Sequence, residues 1–425
     1  MDKSWGWISS VFIVLALIII ASFCNVSVFY GFYHYLGTID VPIAWRGFLV
    51  GLEPMAAFIL RLFILPWLHV RNALSVMTAS LFLLVAVSCS YMWALSVPAL
   101  IVVRILHGTA FVLLTSGVIS LVVNFIPDEK SGQGFSILSI ATMIPYAVIP
   151  PLTEAFLPYV RNEADIYAGV SLFAVIAIVL LIALRRRIRK ALHDGDGVMM
   201  RRATFGEIRE NLRLKAIGLL LGAALLIYLA HATVFYFLKN LALETGGGGV
   251  GLFFTLSMAT MIAVRLFGSA MLDRLNKVVV TQIAFVLLIP CFIALPHAET
   301  RAAFYLLAGL YGLCLGVIMP LLTALLFSAS PPLMRGLNTN LNLFTLDMAY
   351  FLMPYLGGLL ITFGADFDIL FYVAAGFVLL TLALISKLSH TLRQERMKGG
   401  GHNIEPQSPR ARGGSKDGRP ETQSS

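Results

Sequence analysis

Twelve stretches of about twenty or more mostly apolar residues follow one another almost without pause along this chain, each long enough to cross a ~30 Å hydrocarbon core as a helix. In lipid the backbone must satisfy its own hydrogen bonds, so only helices and closed barrels can span, and runs of this length are too long for barrel strands. The expected spans are 8–36, 43–68, 72–94, 97–125, 131–157, 165–188, 213–243, 248–271, 276–295, 299–329, 333–363 and 367–390. A mean hydropathy of +0.86 with only 12% charged residues leaves too little polar side chain to cover a soluble fold. The chain is therefore expected to be an all-α multi-pass membrane protein.

The tripeptide Arg61-Leu62-Phe63 recurs as Arg265-Leu266-Phe267, 204 positions later, and each copy stands where an apolar run is about to end. At the same offset Leu68 matches Leu272, Asn72 matches Asn276, Gly108 matches Gly312, Pro150 matches Pro354 and Leu152 matches Leu356. Identities between apolar residues count for little in a chain that is 59% hydrophobic, so the weight rests on the arginines, asparagines, prolines and glycines. The repeat predicts two six-helix bundles related by pseudo-two-fold symmetry. Parallel repeats of this kind are the plan of one large class of secondary transporters, whose substrate site lies between the halves near the midplane. The expected organisation is a first bundle over 1–188, a linker over 189–212, a second bundle over 213–390 and a polar tail over 391–425. The tail has no apolar periodicity and reads as disordered.

Of the 31 Lys and Arg residues, only Arg46, Arg161, Lys239 and Arg301 fall in loops opposite the two termini. The basic side is the cytoplasmic side, which places both termini and the linker inside. The formal charge of +9 is thus topological and does not point to nucleic acid. Within the linker, 203–213 predicts a short amphipathic helix with Thr204 and Glu207 as a capping box, lying on the headgroups with Phe205 and Ile208 inward. Gly246 to Gly249 lacks the Lys-Ser/Thr and the preceding strand of a phosphate-cradling loop and reads as a flexible hinge. Cys24, Cys89, Cys291 and Cys314 sit in apolar spans, with no CxxC pair and no histidine at metal-ligand spacing. They read as packing residues, and neither a metal nor another cofactor is expected.

The stretch Gly268-Ser269-Ala270-Met271-Leu272-Asp273-Arg274-Leu275-Asn276-Lys277 resembles the loop signature of the major facilitator superfamily, Gly-x-Leu-x-Asp-Arg-x-Gly-Arg-Lys, and matches it at Asp273, Arg274 and Lys277. Arg104-Ile-Leu-His107-Gly108 resembles the family's Arg-x-x-Gln-Gly, with histidine for glutamine. Met353-Pro354-Tyr355-Leu356-Gly357-Gly358 resembles Gly-Pro-x-x-Gly-Gly, which exporters carry on span five. The resemblance covers about residues 8 to 390 and is nearest to bacterial arabinose-efflux and drug:proton antiporter members. It implies a monomeric, proton-coupled carrier in the bacterial inner membrane that exports a small-molecule substrate by alternating access and is no enzyme. The alternatives are an uptake symporter for a polar or anionic metabolite and, less favoured, a membrane-embedded enzyme or lipid-handling protein on the same scaffold. The first-half loop departs from the signature: it reads Pro66-Trp67-Leu68-His69-Val70-Arg71-Asn72, so His69 stands where Asp273 stands in the second half. In the family the loop aspartate docks near the inner start of span eleven, and here only the second-half copy can do so.

A charge at the centre of a transmembrane helix costs ~2.5–3.5 kcal/mol on insertion scales and normally faces a cavity or a partner. Counting along the helices puts Glu53 roughly 15 Å and Arg104 roughly 10 Å from the outer ends of their spans, with Asp347 about 9 Å from the same side. The three are expected to share one level. Pairing Glu53 with Arg104 makes either a proton-coupling switch or a permanent ion pair fixing the first bundle, and Asp347 serves transport or satisfies neighbouring polar groups. His107, three residues from Arg104, faces nearly the same way and reads either as a substrate ligand or as a packing histidine. Registering Val234-Phe235-Tyr236 on Val28-Phe29-Tyr30 aligns His231 with Asn25. Since first-helix positions of each half line the cavity in the family, Asn25, Tyr30, His231 and Tyr236 are either cavity candidates or core. Asn338, Asn342 and Thr345 fall on one face of span eleven, and Asn340, Phe344 and Asp347 on another. Asn338 is expected to bond a neighbouring helix.

Overall fold

The computed structural model describes residues 9–64, 70–122, 125–126, 131–193, 205–268, 276–331 and 334–398. They form twelve long helices, each long and apolar enough to cross a membrane, and one short linker helix, with no strand among the described residues. Span one, Ser10–Thr38, changes to a 3-10 turn over Val28–Gly31 before resuming. The others are span two Ile43–Ile64, three Val70–Ser90, four Val97–Val122, five Ser131–Phe156, six Glu163–His193, seven Lys215–Thr245, eight Val250–Phe267, nine Lys277–Ala294, ten Arg301–Ala329, eleven Arg335–Thr362 and twelve Phe367–Lys398. The linker helix, Phe205–Arg213, lies in the region predicted for it. Thr204 lies outside the described residues, as do the side chains of Phe205, Glu207 and Ile208, and with them the expected capping box and headgroup face.

The helix pairings repeat with the sequence. In the first half span four packs on spans two and three, three on six, and one on four, five and six; in the second half ten packs on eight and nine, nine on twelve, and seven on ten, eleven and twelve. The halves join along two seams that exchange under the same symmetry, span two with span eleven and span five with span eight, and spans one and seven meet around the 3-10 turn. We call the side bearing the linker helix the linker face and the opposite side the far face.

Small residues bring these seams close at the far face. A Cβ on Gly47 would stand 2.4 Å from the Pro354 carbonyl oxygen, and one on Gly251 would stand 2.5 Å from Pro151 Cα. The glycine run before span eight is a packed turn rather than the expected hinge. Gly246 caps span seven at φ 70°, and a Cβ on Gly247 would meet the Ala298 carbonyl oxygen at 2.4 Å.

Two boundaries differ from expectation. The helices of spans six and twelve continue beyond the apolar segments to His193 and Lys398, because a helix needs no lipid once it is formed. Residues 399–425, where disorder is expected, lie outside the described residues. The four cysteines are free and lie in helices, Cys24, Cys291 and Cys314 buried and Cys89 half-buried.

Candidate functional site

Pro54 lies inside span two and has no N–H, so the Val50 carbonyl four residues back loses its helical donor. Arg104 of span four supplies one: its Nη2 donates to Val50 O at 2.6 Å and its Nε to Leu49 O at 3.0 Å. Its Nη1 reaches the Tyr91 hydroxyl at 3.4 Å, and the guanidinium carbon sits 4.6 Å from the Phe32 ring centroid and 5.2 Å from that of Phe29. Gly108 allows this approach, since a Cβ there would lie 2.2 Å from the Glu53 carbonyl oxygen. Arg104 is completely enclosed.

The Glu53 carboxylate stands 3.6 Å from Arg104 Nη2, so the expected pair exists. It is an ion pair without a hydrogen bond, because the nearer donors serve backbone carbonyls. Among the described residues Glu53 accepts no side-chain hydrogen bond. It is buried near Tyr146, Tyr236 and Asp347, whose electrostatic influence it shares.

The repeat mates of this arrangement are neutral. A Cβ on Gly312 would meet Ser257 O at 2.3 Å, copying Gly108 against Glu53. There Ser257 Oγ donates to Ala308 O at 3.0 Å, in place of a carboxylate beside an arginine.

Asp347 lies opposite the middle of span two, within about a turn of Glu53, because the contacts of Gly51 with Phe351 and of Phe58 with Phe344 fix the antiparallel register of spans two and eleven. Its carboxylate accepts from Arg61 Nε at 2.7 Å, the arginine reaching back along span two from nearer the linker face. Span eleven has 28 residues, about 42 Å, and overruns the hydrocarbon core. The two faces read along span eleven hold. Phe344 lies against Phe58 of span two, on the side of the Asp347 pair, while Asn342 Nδ2 donates to Tyr228 OH of span seven at 3.2 Å. Asn338 exchanges amide bonds of 2.7 and 3.1 Å with Asn211 of the linker helix and donates to Ser330 at 2.7 Å, as expected of a helix-joining residue. The side chain of Asn340 lies outside the described residues.

His107 Nδ1 meets the Tyr91 hydroxyl at 3.2 Å inside a fully buried aromatic cluster, while its Nε2 has no partner among the described residues. Asn25 faces span three, accepting from Ser88 Oγ at 3.2 Å. His231 joins the Tyr311 hydroxyl and approaches the Tyr350 ring. Tyr30 stands edge-on to Phe254 of the other half, and Tyr236 packs on Phe235 and Tyr350. Tyr146 of span five meets Phe235 of span seven, so aromatic rings bridge the two halves at the centre.

Of the gate signature, His69, Asp273, Arg274 and the side chain of Arg71 lie outside the described residues; Gly268 caps span eight and Lys277 opens span nine. At the far face two contacts join the halves that the sequence did not suggest. Lys239 Nζ donates to Glu163 at 3.1 Å, and Glu154 accepts the Gly251 N–H at 2.7 Å, stabilised by the positive end of the span-eight dipole.

The fold is shared by solved transporters at low identity. The nucleoside transporter NupG superposes with a TM-score of 0.67 at 12% identity, over 90% of this chain and 99% of that one. A POT family transporter in complex with a thioalcohol-conjugated peptide gives 0.69 at 13% identity, over 90% and 96%. A bacterial homologue of the human lysosomal transporter Spinster gives 0.68 at 12% identity, over 93% and 99%. No curated protein matches the sequence. The Major Facilitator Superfamily model matches residues 11–300 and 220–412, so this chain, with its twelve helices in two symmetry-related bundles, belongs to that superfamily of transporters.

Proposed function

We propose that the chain is a proton-coupled secondary transporter that exports a small organic solute across a bacterial inner membrane by alternating access. In this reading it works as a monomer in the lipid bilayer without a cofactor, with both termini cytoplasmic. The observation that carries the proposal is the setting of Glu53. Its carboxylate can take up or release a proton without stranding Arg104, because the guanidinium rests on Leu49 O, Val50 O and Tyr91. A carboxylate that lies beside the junction of the halves can thereby couple its charge state to their separation. The far face is shut by Glu163–Lys239, Glu154–Gly251 and the glycine contacts, all of which cross between halves and would part in the opposite state.

The test is flux in proteoliposomes, using the solute that differs most between cells and medium when the gene is deleted. Uptake that collapses with the pH gradient in the wild type, with active flux lost and counterflow exchange kept in Glu53→Gln, is the expected result. Gradient-driven flux by Glu53→Gln moves the coupling role elsewhere, with Asp347 next. The uptake reading remains as a second one, favoured by the Arg265 guanidinium in the second half, which has no carboxylate partner among the described residues.

A further inference from the structure

The repeat that relates Arg61 to Arg265 breaks at their counter-charges. Arg61 has Asp347 at 2.7 Å, but the offset that takes Arg61 to Arg265 takes Asp347 back to Met143 of span five. Arg265 packs along that span and finds the Ser139 hydroxyl one turn away, while its buried Nε has no acceptor among the described residues. Among those residues, the one titratable neighbour that acts electrostatically on Arg265 is the neutral Tyr228 phenol of span seven, and no carboxylate does. Ser139 of span five bonds it, and Tyr228 of span seven is in turn bonded by Asn342 of span eleven.

Each of these neighbours can donate. The Tyr228 oxygen accepts from Asn342, which leaves the phenol proton for another acceptor, and Ser139 likewise accepts from Arg265 and keeps its own proton. A half-buried guanidinium with two spare hydroxyl donors and an empty counter-charge position is a site for an anion. Deeper in the bundle stand the half-buried rings of Tyr146 and Tyr350, with Phe235 between them, which suit a flat apolar body. Arg104, the arginine of the first half, already donates to Leu49 O, Val50 O and Tyr91 and has Glu53 as its counter-charge.

We propose that Arg265, with Ser139 and Tyr228, forms the subsite that binds the carboxylate of an aromatic or similarly flat organic anion, the substrate standing where the repeat lacks an aspartate. The proposal rests on the transport reading for its biological sense, but its test does not need flux. The full chain is purified in detergent, and its thermal midpoint is followed against benzoate, with benzamide as the neutral match and chloride holding ionic strength constant. The wild type should show a saturable rise with benzoate and none with benzamide. Arg265→Gln should weaken half-saturation by about tenfold or more, as loss of a charged hydrogen-bond donor does. Met143→Asp, which restores the missing carboxylate by symmetry, should raise the ligand-free midpoint and weaken benzoate by a similar factor. This variant keeps the proposal testable if Arg265→Gln does not fold. A further arm adds phosphatidylglycerol in place of benzoate; an Arg265-dependent rise there alone assigns the site to a lipid headgroup and overturns the substrate assignment. Absence of a saturable benzoate effect in the wild type, or an unchanged effect in both variants, overturns the proposal. Arg265-dependent binding without flux in vesicles would overturn the transport reading and leave the anion site standing.

Discussion

Lysine in place of Arg104 keeps the charge near Glu53 but cannot hold two adjacent carbonyls in a planar fork. In the structure those carbonyls are Leu49 O at 3.0 Å and Val50 O at 2.6 Å, and only the second has lost its helical donor, to Pro54. A buried acceptor left unmade costs about 1–3 kcal/mol, and the lost stacking over Phe32 and Phe29 about 0.5–2 kcal/mol. Arg104→Lys should therefore destabilise by roughly 2–4 kcal/mol although it conserves charge. Pro54→Ala supplies an N–H at the position that reaches Val50 O. Introduced into the wild type it should change little, since that oxygen is already served. Introduced into Arg104→Lys it should recover about 1 kcal/mol, near the upper part of the range for hydrogen bonds within membranes.

The assay is a double-mutant cycle on the unfolding of purified protein in mixed micelles, read by helical circular dichroism. The reasoning predicts a favourable coupling of about 1 kcal/mol between the two substitutions, well above the ~0.3–0.5 kcal/mol within which independent sites add. Additive behaviour would show that Arg104 does not replace the donor removed by Pro54. Full stability and transport in Arg104→Lys alone would reduce the arginine to a point charge.

Two further outcomes follow from single contacts. Gly108→Ala and Gly312→Ala should each cost about 1–3 kcal/mol by forcing helices apart, because the added carbons would lie 2.2 and 2.3 Å from the carbonyl oxygens of Glu53 and Ser257. Gly309→Ala, one turn away on span ten with open space around it, should be neutral or slightly stabilising in the same unfolding assay. Asn211→Ala should strand one edge of the Asn338 amide at about 1–3 kcal/mol and release the linker helix, read as faster proteolysis between the halves with no change in Gly108-region packing. Unchanged cleavage would mean that the helix is held by other contacts.

The spans were legible because the bilayer leaves one solution for a twenty-residue apolar segment, and the repeat because arginine, asparagine and glycine seldom recur by chance in a lipid-facing sequence. Glu53 beside Arg104 was legible from helix counting, since both were counted from the outer ends of their spans at 1.5 Å per residue. Counting could not give the partner of Asp347, because Arg61 reaches it from further along span two. The partners of Arg104 were missed for another reason. Backbone carbonyls carry no letter in a sequence, and the only sign of an unserved one was Pro54 four residues after Val50. Arg61 and Arg265 stood in view as the opening tripeptides, yet each read as the mark of a helix end, where a basic side chain favours the dipole and the interface without any specific partner.

The places where the two copies diverge carry more information than those where they agree. Gly108 and Gly312 agree because both seams need the same close approach, a demand of packing. Glu53 against Ser257, Arg104 against Ala308 and Asp347 against Met143 disagree, and each puts a charge in the first position of the pair that the fold has shown it can do without in the second. A charge inside a bilayer is costly, and the second half builds the same junction with serine, alanine and methionine, so the packing itself does not require the two carboxylates, whereas Arg104 also serves the carbonyl that Pro54 leaves open. Arg265 is the exception that sharpens the point: its mate is charged as well, and among the described residues only the counter-ion differs, Asp347 for Arg61 against Met143 for Arg265, which is the deficit the proposed anion would fill.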